Sequence, residues 1–285
     1  MLGNLENVFA YVKDRTCAIG AFNVTESTMF KAVVEAAEEL RAPVIVQVSP
    51  NEVDFCDIEQ YRYFTERLWH SPMPFVLHYD HGKSFEGCME AIQAGFTSVM
   101  FDGSSLPFEE NVACTKEIVR AAHAVGVTVE GEVGTIGETI DFASGDVKSL
   151  VYSDPDQAER FATETGVDAL AVSIGTVHGL VPAGYTPVIR LDVLERIVAR
   201  VHVPLVMHGG SGMPAEQVAK ACRSGISKVN VSSEFKRAYY ESVARVVADD
   251  PSAASPTKIA RQAVEEVKTI VKSKIELFGS AGLVA

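Results

Sequence analysis

Pro74-Phe-Val-Leu-His-Tyr-Asp-His-Gly-Lys-Ser84 is an apolar run that ends in two histidines and a carboxylate, followed by glycine. Phe75, Val76 and Leu77 suit a buried central strand, and Gly82, Lys83 and Ser84 suit a turn into a helix that begins near Phe85. Side chains alternate along an extended chain, so His78 and Asp80 share one face while Tyr79 and His81 share the other. Asp80 and His81 can therefore reach a common site only where the strand ends and the backbone turns. His78, deeper in the run, is expected inside the fold as support for the tip.

Working outward, the same pattern recurs. Short β-rich runs are read at 18–22, 43–48, 74–79, 97–101, 127–132, 169–173, 204–207 and 227–231, with segments of helical period between them, such as 26–40 and 59–69. Strands alternating with crossover helices build a parallel sheet, and eight of them close a (β/α)8 TIM barrel. A chain of 285 residues suits one such domain, with the barrel over about 16–248 and a C-terminal helix and tail over about 256–285. In that helix Ile259, Ala263, Val264, Val267, Ile270, Val271 and Ile275 recur at helical spacing, which predicts packing on the barrel or on a second subunit. Residues 134–154 form a long polar connection, a candidate lid.

Composition narrows the partners. A net charge of −13 argues against nucleic acid and anionic membranes, and 47% hydrophobic residues supply an ample core. The cysteines Cys17, Cys56, Cys88, Cys114 and Cys222 are odd in number and form no C-x-x-C pair, which fits a reducing compartment. With no apolar run of membrane-spanning length, the expected location is the cytoplasm.

A TIM barrel carries its active site at the carboxyl ends of its strands. Those ends hold Asn23, Ser49, Asp80 with His81, Asp102, Glu132, and the stretches 173–178, 208–211 and 230–233. His81, His178 and His208 arrive from the third, sixth and seventh strands, and three neutral imidazoles with an open fourth position are the donor set of a catalytic zinc. Ile174-Gly-Thr-Val-His-Gly179, His208-Gly-Gly-Ser-Gly212 and Asn230-Val-Ser-Ser233 offer backbone donors where such barrels hold phosphate.

These stretches resemble the class II, zinc-dependent ketose-bisphosphate aldolases, the family of fructose-bisphosphate and tagatose-bisphosphate aldolase. The resemblance runs from about Gly20 to Ser233. It rests on Leu77-His-Tyr-Asp-His-Gly82, Ser98-Val-Met-Phe-Asp-Gly103, Val129-Glu-Gly-Glu-Val-Gly134, Ile174-Gly-Thr-Val-His-Gly179 and Val206-Met-His-Gly-Gly-Ser-Gly212. It implies a phosphorylated sugar substrate, His81, His178 and His208 on zinc, Asp80 as catalytic acid/base, and Asp102 and Glu132 as outer or alternate metal carboxylates. It also implies phosphate contacts around Gly179, Gly209, Gly210, Ser211, Asn230, Val231, Ser232 and Ser233, a Na+ or K+ beside that phosphate, and Asn23 and Ser49 along the substrate cleft. The expected reaction is reversible cleavage to dihydroxyacetone phosphate and an aldehyde through a zinc-stabilised enediolate, in a homodimer or homotetramer.

The far half of the substrate site departs from the family pattern. Gly137-Glu-Thr-Ile-Asp141 carries Ile140 where the family's lid glutamate is expected, leaving Glu138 or Asp141 to handle the carbon proton. Ser232 stands in place of an aspartate, and Asp250-Pro-Ser252 lacks the usual arginine, for which Lys258, Arg261 or a neighbouring subunit would have to substitute. The resemblance still implies fructose or tagatose 1,6-bisphosphate as the substrate, with another ketose 1-phosphate or a deoxy-ketogluconate 6-phosphate as the alternative that these departures raise. Two other readings compete: a metal-dependent hydrolase on the same fold, which needs no phosphate cradle, and a catalytically altered binding protein, against which the intact histidines and Asp80 count.

Overall fold

The computed structural model describes residues 1–13, 16–136, 139–140, 147–148, 150–177, 179, 187–249 and 255–285, the backbone alone at 139–140 and 147–148. Its strands are β1 (Ile19–Asn23), β2 (Val44–Val48), β3 (Phe75–Gly82), β4 (Ser98–Phe101), β5 (Thr128–Val133), β6 (Thr139–Ile140), β7 (Val147–Lys148), β8 (Ala169–Val172), β9 (Leu205–Met207) and β10 (Ile226–Val231). Eight of these close a barrel in the order β1-β10-β9-β8-β5-β4-β3-β2, every pairing parallel. β6 and β7 instead pair with each other, antiparallel, within the long connection after β5.

The strands are valine- and isoleucine-rich because both faces are covered. One set of side chains packs outward against the helices, among them Val44, Val46, Leu77, Val99, Val129, Leu170, Val172, Val229 and Val231. The alternating set fills the interior. There Ile19, Ala21, Ile45, Val76, Met100, Ala169, Ala171 and Val206 form an apolar layer, closed by Leu5, Val8 and Phe9 of the short helix Leu5–Phe9. Further along the same strands the inward positions turn polar, with Gln47, His78, Ser98, Glu130 and Lys228 all fully buried. The barrel is thus apolar at its amino end and charged toward the end that carries the site.

The helix Pro256–Phe278 buries Ala263, Val264, Val267, Val271 and Ile275 and packs against Ser233–Asp249 and Ser27–Leu40 of the same chain. Ser255 caps its start and Gly279, at φ 79°, ends it. Among the described residues no helix is long and apolar enough to cross a membrane.

Candidate active site

β3 does not stop at Tyr79; it runs on to Gly82, and its pairing with β4 slips between Tyr79 and Gly82. At the slip His81 adopts φ 56°, a left-handed conformation uncommon for a side chain other than glycine. This bulge breaks the alternation, so the adjacent Asp80 and His81 both border one cavity. Gly82 makes it possible, because a Cβ there would lie 2.7 Å from the Met100 carbonyl oxygen and 2.8 Å from the Tyr79 ring.

Asp80 is buried and held by side-chain amides. Asn23 Nδ2 donates to its Oδ2 at 2.7 Å, Gln47 Nε2 to the same oxygen at 3.2 Å, and Asn230 Nδ2 to Oδ1 at 3.2 Å. Gln47 also donates to Asn23 Oδ1 at 2.8 Å, which fixes the orientation of that amide. Burial alone would raise the Asp80 carboxyl, but the nearby charges of His81, His208, Lys228 and His78 hold it well below the usual carboxylate range. It is a carboxylate at any working pH.

His81 and His208 meet beside it. His81 Nε2 lies 3.0 Å from His208 Nδ1, and the opposite nitrogen of each ring faces a carboxylate: His81 Nδ1 to Asp102 Oδ2 at 2.8 Å, His208 Nε2 to Glu130 Oε1 at 2.8 Å. A ring N–H committed to a carboxylate leaves a lone pair on the other nitrogen. Two lone pairs at 3.0 Å are tolerated only with positive charge between them, a proton or a metal ion. Burial opposes charging His81, yet Asp80, Asp102 and Glu132 outweigh it and hold the imidazole up at about 9.

These residues fit zinc. Two imidazole nitrogens bound at about 2.0–2.1 Å in a tetrahedral site would stand roughly 3.3–3.4 Å apart, close to the separation here, and each ring already has the carboxylate partner that orients metal-ligating histidines. Asp80, His81 and His208 form one group able to hold a metal ion, and His81, Asp102 and Glu132 a second. Glu132 Oε2 is buried with no hydrogen-bond partner among the described residues, and burial with the Asp102 charge raises its carboxyl to about 8, so a cation beside it would be favoured. Asp102 is further tied by Lys83 Nζ at 2.6 Å and Ser104 Oγ at 2.6 Å. His178, Glu138 and Asp141 lie outside the described residues.

The cavity, about 170 Å³, joins Asn23, Ser49, Asp80 and His81 to a rim of Gly179, Gly209, Ser211, Asn230, Ser232 and Ser233. Gly209 takes φ 69° with its Cα so near the Val177 carbonyl that a Cβ would stand 2.3 Å away, which brings the backbone to the rim. Ser211 Oγ accepts from Ser232 N at 3.1 Å and Glu234 N at 3.4 Å, tying the β9 loop to the N-terminus of Ser233–Asp249. Gly210 N donates to the Asn230 carbonyl at 2.8 Å, and the Val231 side chain packs in the outer core, away from the cavity.

His78 lies inside the barrel as expected, but several other participants escape a sequence reading. Beneath the histidines, Lys228 Nζ meets Glu130 Oε2 at 2.7 Å, His78 Nε2 stands 3.7 Å from that oxygen, and His78 Nδ1 meets Ser98 Oγ at 2.8 Å. Glu130 shares a face with Glu132, and Lys228 with Asn230, so period-two alternation from recognised tip residues would have found both. Lys236 also lines the cavity, its Nζ 2.5 Å from Glu52 Oε1. Arg261 lines a different groove, beside Phe30 and Tyr63.

The model of the family described as fructose-bisphosphate aldolase class-II matches residues 3–283. A fructose-bisphosphate aldolase of Staphylococcus aureus is 38% identical over 288 residues, 98% of each chain. A 6-phospho-5-dehydro-2-deoxy-D-gluconate aldolase of Bacillus licheniformis is 39% identical over 284 residues, covering 98% of this chain and 95% of that one. Among solved structures, the YdjI aldolase from Escherichia coli K12 superposes with a TM-score of 0.87 at 32% identity, over 100% of both chains.

Proposed function

The chain belongs to the class II fructose-bisphosphate aldolase family and is an aldolase, and from that premise we propose that it is a zinc-dependent aldehyde-lyase. It would cleave a ketose phosphate reversibly to dihydroxyacetone phosphate and an aldehyde. The observation that carries this reading is the ionised Asp80, clamped by Asn23, Gln47 and Asn230 beside the facing nitrogens of His81 and His208.

His81, His208 and His178 would hold the zinc, which when bound supplies Lewis acidity to the ketone oxygen and the neighbouring hydroxyl. The Gly210 and Ser232 N–H groups are already spent on Asn230 and Ser211, so the backbone N–H groups of Gly209, Ser211 and Ser233 would bind the phosphate next to the ketone, at the start of Ser233–Asp249, with Gly179 on the same rim and a Na+ or K+ beside it. Asp80 would take the proton from the hydroxyl on the far carbon of the breaking bond, the carbon that becomes the aldehyde carbonyl, and return it in condensation. Its amide donors stop it from rotating away, and its depressed pKa keeps it ready to accept. Glu138 or Asp141 would hold the proton destined for the carbon left behind.

Three substrate classes suit such a site: fructose or tagatose 1,6-bisphosphate, another ketose 1-phosphate without the distal phosphate, and, supported by the relative named as a 6-phospho-5-dehydro-2-deoxy-D-gluconate aldolase, a deoxy-ketogluconate 6-phosphate. The whole chain would work as one domain, in a cytoplasmic homodimer or homotetramer. The test is to incubate zinc-loaded protein with dihydroxyacetone phosphate and a panel of aldehydes and follow carbon–carbon bond formation. Phosphate-ester hydrolysis with no condensation product would favour the hydrolase reading instead.

A further inference from the structure

The wall of the cavity away from the glycines carries a cation that is already neutralised. Lys236 comes from the helix after β10 and Glu52 from the helix Pro50–Cys56 after β2, and β1 lies between those two strands. Their 2.5 Å ion pair therefore joins the ends of β10 and β2 across β1, with Lys236 committed to Glu52 at the edge of the cavity. Glu52 Oε2 also takes the Ser49 N–H at 3.0 Å and the Ser49 hydroxyl. Lys236 and Ser49, two cavity-lining donors on this side, are thus both committed to a mostly buried carboxylate.

A ketose bound as proposed above runs from the glycine rim past His81 to Asp80, and its far carbons extend toward Asn23, Ser49 and Lys236. We propose that Glu52 is the specificity-determining residue for that far end. By holding Lys236 and Ser49 it disfavours a second phosphate and selects ketose 1-phosphates whose last carbon is uncharged. A distal dianion would have to displace Glu52 from both donors or lie against it; a neutral hydroxyl or methyl meets neither cost. This inference rests on the aldolase reading for the direction in which the substrate lies.

The experiment measures binding of two uncleavable probes, a hexitol 1-phosphate and the matching hexitol 1,6-bisphosphate, to zinc-loaded protein by calorimetry, with cleavage of the corresponding ketoses alongside. The wild type should show no preference for the bisphosphate, binding it no more tightly than the monophosphate. Glu52→Gln, which keeps an acceptor for the Ser49 N–H, should raise that preference on the order of ten- to a hundredfold, the worth of charge-assisted hydrogen bonds released to the ligand. Adding Lys236→Met to that variant should cancel the gain. Lys236→Met alone decides the matter if Glu52→Gln does not fold: with Glu52 left unpaired, the bisphosphate should weaken about tenfold relative to the monophosphate. A clear wild-type preference for the bisphosphate, an unchanged ratio in Glu52→Gln, or equal weakening of both probes in Lys236→Met would overturn the proposal. Normal cleavage with an unmoved ratio rejects Glu52 alone, whereas no cleavage and no binding of either probe rejects the aldolase reading with it.

Discussion

Asp80 combines two properties that a general base needs, a fixed direction and a guaranteed charge. Its three amide donors set the first, and the surrounding cationic groups set the second. Asp80→Ala should lower the cleavage rate by about 10²–10⁴, the usual worth of a positioned acid or base, while zinc content and circular dichroism stay as in the wild type. A near-normal rate would move the proton transfer to another group. His208 answers a different question, because its ring is fixed from below by Glu130, which Lys228 in turn neutralises. Burial would push the Glu130 carboxyl up, and the Lys228 charge with the His208 N–H holds it down at about 2. His208→Ala should cost both the metal and turnover, read by metal analysis of the purified protein. Retention of one equivalent of zinc with full activity would reject the proposed ligand set.

At the level of elements, the deciding feature is the bulge in β3, and it stands or falls with Gly82. Replacing Gly82 by alanine drives a Cβ into the Met100 carbonyl and the Tyr79 ring, so the bulge must open or β3 must shift against β4. Gly82→Ala should destabilise the fold by roughly 1–3 kcal/mol, as overpacking a filled site does, and should weaken zinc binding because His81 moves with it. An unchanged denaturation midpoint with unchanged zinc affinity would show the bulge to be dispensable. The eight barrel strands and the long C-terminal helix were legible in the sequence because their periodicities are set by burial on both faces or on one stripe. The slip after Tyr79 was not, since no residue there announces a bulge and the run reads as a strand that simply ends. Lys228 and Gln47 were hidden for a related reason. A lone polar residue in an apolar run has no partner until barrel closure brings Glu130 or Asp80 against it. Lys236 and Glu52 lie on separate helices and would ordinarily read as solvated faces; only the tertiary fold turns them into an ion pair.

Across the whole molecule, the interior is a barrel with an apolar floor and a charged roof, and the pH dependence of its stability should report what fills that roof. In metal-free protein the groups divide by sign. His78 is pushed down to about 3 by burial and the Lys228 charge, Glu130 is held at about 2, and Asp80 and Asp102 lie low. Each binds its proton more readily unfolded, so their contributions are lost as the solution is acidified, fastest below the ordinary carboxylate value of about 4.5. His81 at about 9 and Glu132 at about 8 go the other way. Above the ordinary histidine value of about 6.5 the folded protein keeps protons that the unfolded chain has shed, and that stability disappears as pH rises through about 8–9. One retained proton corresponds to a slope approaching about 1.4 kcal/mol per pH unit. The urea midpoint of metal-free protein should therefore fall measurably between pH 7 and 8. Zinc bound between His81 and His208 requires those imidazoles unprotonated and takes over the role of the proton, so the loaded protein should lose the His81 share and show a shallower fall. The same downward slope in both forms would mean that the positive charge between the two rings is not where the metal binds.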